Sequence, residues 1–147
     1  SWGGMLAPAM FVEFSQRHLA RIADLLRNDT HACNVPLIVF SKGANASLEA
    51  LADTGCAALG IDWTITLDEA RRRVGARVAL QGNLDPATLL ASPDVIRREV
   101  HRVLDDFGPH PGHVFNLGHG ITPDVDPAHL AALVDAVHAH GARAAQA

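Results

Sequence analysis

Four times along its 147 residues this chain sets a short apolar run, closes it with polar or glycine residues, and follows it with a segment of helical apolar spacing. Strands that alternate with helices can pair only in parallel, because each connection must cross over the sheet through its helix. The first helix is expected over Pro8 to Arg27: Phe11, Phe14, Ile22, Leu25 and Leu26 share one face at ~100° per residue, and Pro8 suits a first turn. Val35 to Phe40 reads as a strand covered on both faces, ending in Ser41-Lys42-Gly43. A helix from about Asn45 stops at Gly55. Ala57 to Ile61 is the next strand, ending in Asp62-Trp63, and Thr66-Leu67-Asp68-Glu69 has the capping-box spacing that opens a helix through Val74. Val78-Ala79-Leu80 forms the third strand, ending in Gln81-Gly82-Asn83. Ser92 and Pro93 then begin a helix with Ile96, Val100, Val103, Leu104 and Phe107 in one stripe. His113-Val114-Phe115 is the fourth strand, and Asp126-Pro127 opens a last helix with Leu130, Leu133, Val134 and Val137 inward.

Every strand ends in polar or glycine residues, so packing belongs at one end of the sheet and chemistry at the other. A full (β/α)8 TIM barrel needs ~250 residues. Four units and a leading loop therefore predict an α/β fold that is half of such a barrel, as one partial domain over residues 1–147. The opening Ser1-Trp2-Gly3-Gly4 reads as a loop that follows a strand, and a longer parent protein is expected. The fourth strand leads into Asn116-Leu117-Gly118-His119-Gly120. This turn sets a histidine at a strand's carboxyl end, where parallel α/β sheets bind ligands, and its glycines let a ligand come close.

Composition narrows the classes. A net charge of −4 argues against a general nucleic-acid binder. No apolar stretch approaches the ~18 residues of a membrane span. Two cysteines, Cys33 and Cys56, are too few for a disulfide framework and fit a cytoplasmic protein.

Three ordered stretches carry a family resemblance: Leu59-Gly60-Ile61-Asp62-Trp63; Val78-Ala79-Leu80-Gln81-Gly82-Asn83-Leu84-Asp85-Pro86; and Phe115-Asn116-Leu117-Gly118-His119-Gly120 followed by Pro123-Asp124-Val125-Asp126-Pro127. Together they resemble the carboxyl-terminal portion of the uroporphyrinogen decarboxylase family, and the resemblance covers the whole chain. It implies that the half barrel is the carboxyl-terminal half, and that the whole is a β/α barrel that removes carboxyl groups from the four acetate side chains of uroporphyrinogen III, giving coproporphyrinogen III for haem synthesis, with no metal or organic cofactor. It also implies a homodimer. At the family's substrate-contacting positions this sequence has Ser1, in the opening loop, and His119. The family's carboxylate-gripping arginines, its aspartate facing the pyrrole nitrogens and a tyrosine fall upstream of Ser1, so no catalytic residue is expected in this chain.

Other residues read as structural. Asn83 and Asp85 are expected to hold the Pro86 turn through local side-chain to backbone bonds, with Gln81 beside them, and Asp62 to anchor a loop. His18 is expected in the core and Arg71, Arg72 and Arg73 on the solvated surface. His31-Ala32-Cys33 with Cys56 imitates the zinc pattern of methyltransferases related to this fold. Both cysteines precede their strands, however, on the side away from the binding face. A corrinoid-type methyltransferase and a non-catalytic binding domain stand as the alternative functions.

Overall fold

The computed structural model describes residues 2–144. Four parallel strands, β1 (Ile38–Phe40), β2 (Ala58–Gly60), β3 (Ala79–Leu84) and β4 (His113–Leu117), form one sheet in the order β1-β2-β3-β4. Spatial order that follows chain order means every right-handed crossover steps in the same direction, so all the helices cover one face. A doubly wound sheet reverses direction part-way and covers both faces. The architecture is that of a partial (β/α)8 barrel.

The helical layer comprises α1 (Pro8–Phe11) and α2 (Arg17–Arg27), joined by a π turn at Val12–Gln16, then α3 (Leu48–Ala52), α4 (Leu67–Val74), α5 (Pro93–Phe107) and α6 (Pro127–Ala144). Strand register shows which residues meet it. Val39, Leu59, Leu80 and His113 form one row across the sheet, and the first three are buried against the helices. The next row, Phe40, Gly60, Gln81 and Val114, points to the opposite face by the two-residue period of a strand. That face is open: Ile38 and Val114 are each about half exposed.

Two helices meet expectation closely. The stripe of α5 buries Ile96, Val100, Val103 and Phe107, with Leu104 packed at its margin. At the start of α4 the Thr66 hydroxyl accepts from the Glu69 amide (3.3 Å), and Asp106 of α5 accepts from the amides of Leu67 (2.6 Å) and Asp68 (3.2 Å). The second cap comes from 38 residues away and satisfies donors that a helix cannot satisfy itself.

Other expectations need correction. In the first helical segment Phe11 is buried, but Phe14, Ile22, Leu25 and Leu26 are exposed. The buried face of α2 is marked by Leu19 and Ala23, with Gln16 bonding the Ala50 carbonyl (3.3 Å) and Arg27 the Gly55 carbonyl (3.2 Å). The π turn breaks the phase that one continuous α-helical wheel assumes. His18 is exposed and receives a bond from the neighbouring Arg17 guanidinium (3.3 Å), so it is not a core histidine. β1 is shorter than Val35–Phe40 and buries only Val39 deeply, since Val35 and Ile38 face outward. β3 is longer: Gln81, Gly82 and Asn83 lie within it, paired with Val114, Phe115 and Asn116. In α6 the deeply buried residues are Ala132, Leu133 and Ala136, while Leu130 and Val134 are exposed. The three arginines of α4 are not simply solvated. Arg73 forks onto Glu49 of α3 (2.7 and 2.6 Å), and Arg71 pairs with Asp68.

Candidate functional site

The carboxyl ends of the strands surround a cleft of about 570 Å³ lined by Phe40 and Gly60 from the tips of β1 and β2, Gln81 from β3, and the turn from Asn116 to Ile121 after β4. Its floor is set by a missing side chain. A Cβ on Gly60 would fall 2.8 Å from the Phe40 ring, so the bare backbone of β2 lets that ring lie across the sheet. The far wall is the turn carrying His119, which is exposed, with its ring centroid 6.0 Å from that of Phe40.

The turn is held from behind. Gly118 donates its amide to the Leu84 carbonyl (2.8 Å) and packs so tightly on Trp63 that a Cβ there would meet the Trp63 nitrogen at 2.7 Å and the indole at 3.0 Å. Trp63 follows Asp62, which is 2% exposed. The Asp62 carboxylate accepts from the Thr64 amide (2.9 Å), the Thr64 hydroxyl (2.5 Å), the Asn45 amide group (3.1 Å) and the Gly43 amide. Burial works against ionisation of this carboxyl, yet these hydrogen bonds outweigh it and hold its pKa below the ordinary value. Asp62 is thus the loop anchor the sequence indicates, and it ties the tip of β1 to the tip of β2.

Asn83 plays a different part from the local one expected. Its side-chain amide donates to the carbonyls of Asp62 (2.9 Å) and Ile65 (2.7 Å), fastening the β2–α4 loop to β3. Only Asp85 holds the Pro86 turn, accepting from the Ala87 amide at 2.9 Å. His113 turns towards the helices. It stacks on Phe107 with centroids 4.5 Å apart and bonds the Gly82 carbonyl (2.8 Å), and burial lowers its pKa although that bond opposes the shift.

The other sequence candidates separate. Ser1 lies outside the described residues. Cys33 and Cys56 line a second cavity at the amino ends of the strands, away from the cleft. Cys33 is exposed, whereas Cys56 is buried, with its thiol pushed up by that burial. No group of three metal-ligating side chains converges among the described residues.

The cleft therefore joins an aromatic wall, a strand-borne amide and an exposed imidazole at the end of the sheet where barrels bind ligands. A family model for uroporphyrinogen decarboxylase (URO-D) matches residues 1–140. The chain belongs to the uroporphyrinogen decarboxylase family. Relatives bearing that name include one from Alcanivorax borkumensis, 57% identical over 93% of this chain and 39% of that protein. Another, from Thioalkalivibrio sulfidiphilus, is 55% identical over 96% of this chain and 40% of its own length. The chain thus spans about two fifths of these decarboxylases. Among solved structures, a methyltransferase from Methanosarcina mazei superposes with a TM-score of 0.76 over 92% of this chain and 38% of that one, at 24% identity. That likeness concerns the fold alone.

Within the family frame, Lys42 and Trp63 are positions that sequence reasoning passed over. The Lys42 ammonium lies 4.1 Å from the Trp2 ring centroid and 4.8 Å from that of Trp63. The signal was present in the composition, since Lys42 is the only lysine and both tryptophans of the chain converge on it. No helix among the described residues is long and apolar enough to cross a membrane.

Proposed function

We propose that the protein is a uroporphyrinogen decarboxylase and that this chain forms one side of its active-site barrel. The observation that carries the reading is His119, exposed beside the cleft on the turn after β4, in a chain matched by the family over residues 1–140. The reaction removes four acetate carboxyls and leaves methyl groups, without metal or organic cofactor. Protonating the pyrrole ring makes an electron sink. The bond to the carboxylate then breaks, its electron pair flows into the ring, carbon dioxide leaves, a proton on the exocyclic carbon completes the methyl, and loss of the ring proton restores the pyrrole.

In this scheme His119 hydrogen-bonds a substrate carboxylate or pyrrole group, and Ser1 contacts the same substrate from the opening loop. The phenyl ring of Phe40 gives the tetrapyrrole an apolar surface. Arginine partners for the substrate's carboxylates and the aspartate facing the pyrrole nitrogens belong to the part of the protein outside this chain, which completes the barrel. The enzyme acts in the cytoplasm as a homodimer; two free cysteines, one of them exposed, fit a reducing compartment.

The test is conversion of uroporphyrinogen III to coproporphyrinogen III by the full-length protein, followed by separation of the porphyrins after oxidation. Stepwise loss of four carboxyl groups is expected. A folded full-length protein that leaves uroporphyrinogen unchanged would overturn the reading.

A further inference from the structure

We infer that Lys42 is a substrate-binding residue whose ammonium takes a carboxylate of the substrate at the rim of the cleft. The inference rests on the decarboxylase reading and adds to it a basic group from this chain. Lys42 follows Phe40 by two residues at the tip of β1, and its side chain is half-buried between two indoles. Those indoles flank the two positions assigned to substrate. Trp2 is the chain neighbour of Ser1, and its loop is pinned to this spot by the Gly4 amide bonding the Lys42 carbonyl (3.0 Å). Trp63 packs on Gly118, the neighbour of His119. Lys42 therefore stands between the opening loop and the histidine turn.

The electrostatics fit an anion. Among the described residues Lys42 pairs with no carboxylate, since its ammonium meets only the faces of the two rings. Cation–π contact steadies the charge without consuming its three N–H donors. The arginines of α4 and α5 behave differently: Arg72, Arg73, Arg97 and Arg102 are neutralised by Asp68, Glu49, Asp94 and Glu99 on the outer helices. A cation held in place, lacking a counter-charge and facing the ligand end of the sheet is suited to a polycarboxylate.

Lys42→Gln, Lys42→Met and Lys42→Arg would be compared with wild type in the full-length protein, with uroporphyrinogen III as the probe at several salt concentrations. Lys42→Met keeps an unbranched stem against the indoles and removes only the charge. The expected result is a KM raised roughly tenfold to a hundredfold in the Gln and Met variants with a smaller change in kcat, a weaker salt dependence, and substantial recovery with Arg. Unchanged KM and salt dependence in a folded Met variant, beside an active wild type, would overturn the role of Lys42 and leave the decarboxylase reading standing. Unfolding of both neutral variants would mark the ammonium as structural and likewise overturn it. An inactive wild type would overturn both readings.

Discussion

The ring of Phe40 at the tip of β1 stands 6.0 Å, centroid to centroid, from the imidazole of His119 beyond β4. In a flat sheet those two strands would lie about 14 Å apart, three strand spacings. Barrel curvature and two aromatic side chains close that gap, so the first and last strands of the chain meet across the cleft. Two glycines make the meeting possible, in different ways. A Cβ on Gly60 would press on the Phe40 ring, which can swing aside. A Cβ on Gly118 would press on the Trp63 nitrogen and the Asp62 carbonyl carbon, which cannot.

The same substitution should therefore have two outcomes. Gly118→Ala is expected to cost about 1–3 kcal/mol in the full-length protein, because backbone held by the Asp62 bonds must move. Gly60→Ala should cost less, about 1 kcal/mol, and act mainly by displacing Phe40 from His119. Urea unfolding of both variants checks the order. A Gly118→Ala midpoint equal to wild type would contradict the tight packing behind the turn.

For His119 itself the expectation is kinetic. His119→Ala in the full-length protein removes the proposed contact to substrate, worth ~1.5–3 kcal/mol, so kcat/KM should fall roughly tenfold to a hundredfold while the protein remains folded. Exposure of the side chain makes a large stability loss unexpected. Wild-type kinetics in a folded variant would reduce His119 to a turn residue.

Asp62 predicts a pH dependence. Its folded pKa lies below the unfolded value of ~3.9, so the stability it contributes is complete above that value and is lost as pH falls through the folded pKa. Asp62→Ala should remove this acid-dependent contribution. It should also cost about 1–3 kcal/mol at neutral pH by stranding the Gly43 and Thr64 donors. Unfolding midpoints of the full-length protein and the variant, followed from neutral pH into acid, test both effects. Parallel acid profiles would show that the network described does not lower the Asp62 pKa.

Glu49 offers a contrast, since the Arg73 guanidinium holds its carboxyl down at about 2. About half of its side chain remains exposed to water, which screens the pair, and the contribution to stability is about 1 kcal/mol or less.

What the sequence revealed follows from how local each signal was. The capping box at Thr66, the stripe of α5 and the turn carrying His119 at the tip of β4 are written in consecutive or helically spaced residues, and each is found where its spacing puts it. The four strand–helix units against the length of a whole barrel gave the partial barrel, and the family motifs added which part of it this is. The missed features depend on residues far apart in the chain: Asp106 capping α4, Asn83 bonding the loop after β2, and Lys42 between Trp2 and Trp63. Helix faces failed where periodicity did not decide burial. Ile22 and Leu25 have inward-looking spacing but are exposed, off the face marked by Leu19 and Ala23.

That exposed apolar surface leads to the last expectation. Among the described residues the outer edges of β1 and β4 have no strand partner, and Phe14, Ile22, Leu25, Ile38 and Val114 are exposed. Unpaired strand edges beside apolar side chains recruit other chains. The 147-residue polypeptide expressed alone should therefore associate in solution and bind a hydrophobic dye. It should also leave uroporphyrinogen unchanged, since the acid and the arginines of the proposed site belong to the rest of the protein. Co-expression with that remainder should yield one barrel in which the dye-binding surface is covered and turnover appears. Sedimentation, dye fluorescence and porphyrin analysis of the single chain and the pair make the comparison. A monodisperse, dye-silent monomer would show that the open face is not a sticking surface, and turnover by this chain alone would place the reacting groups within it.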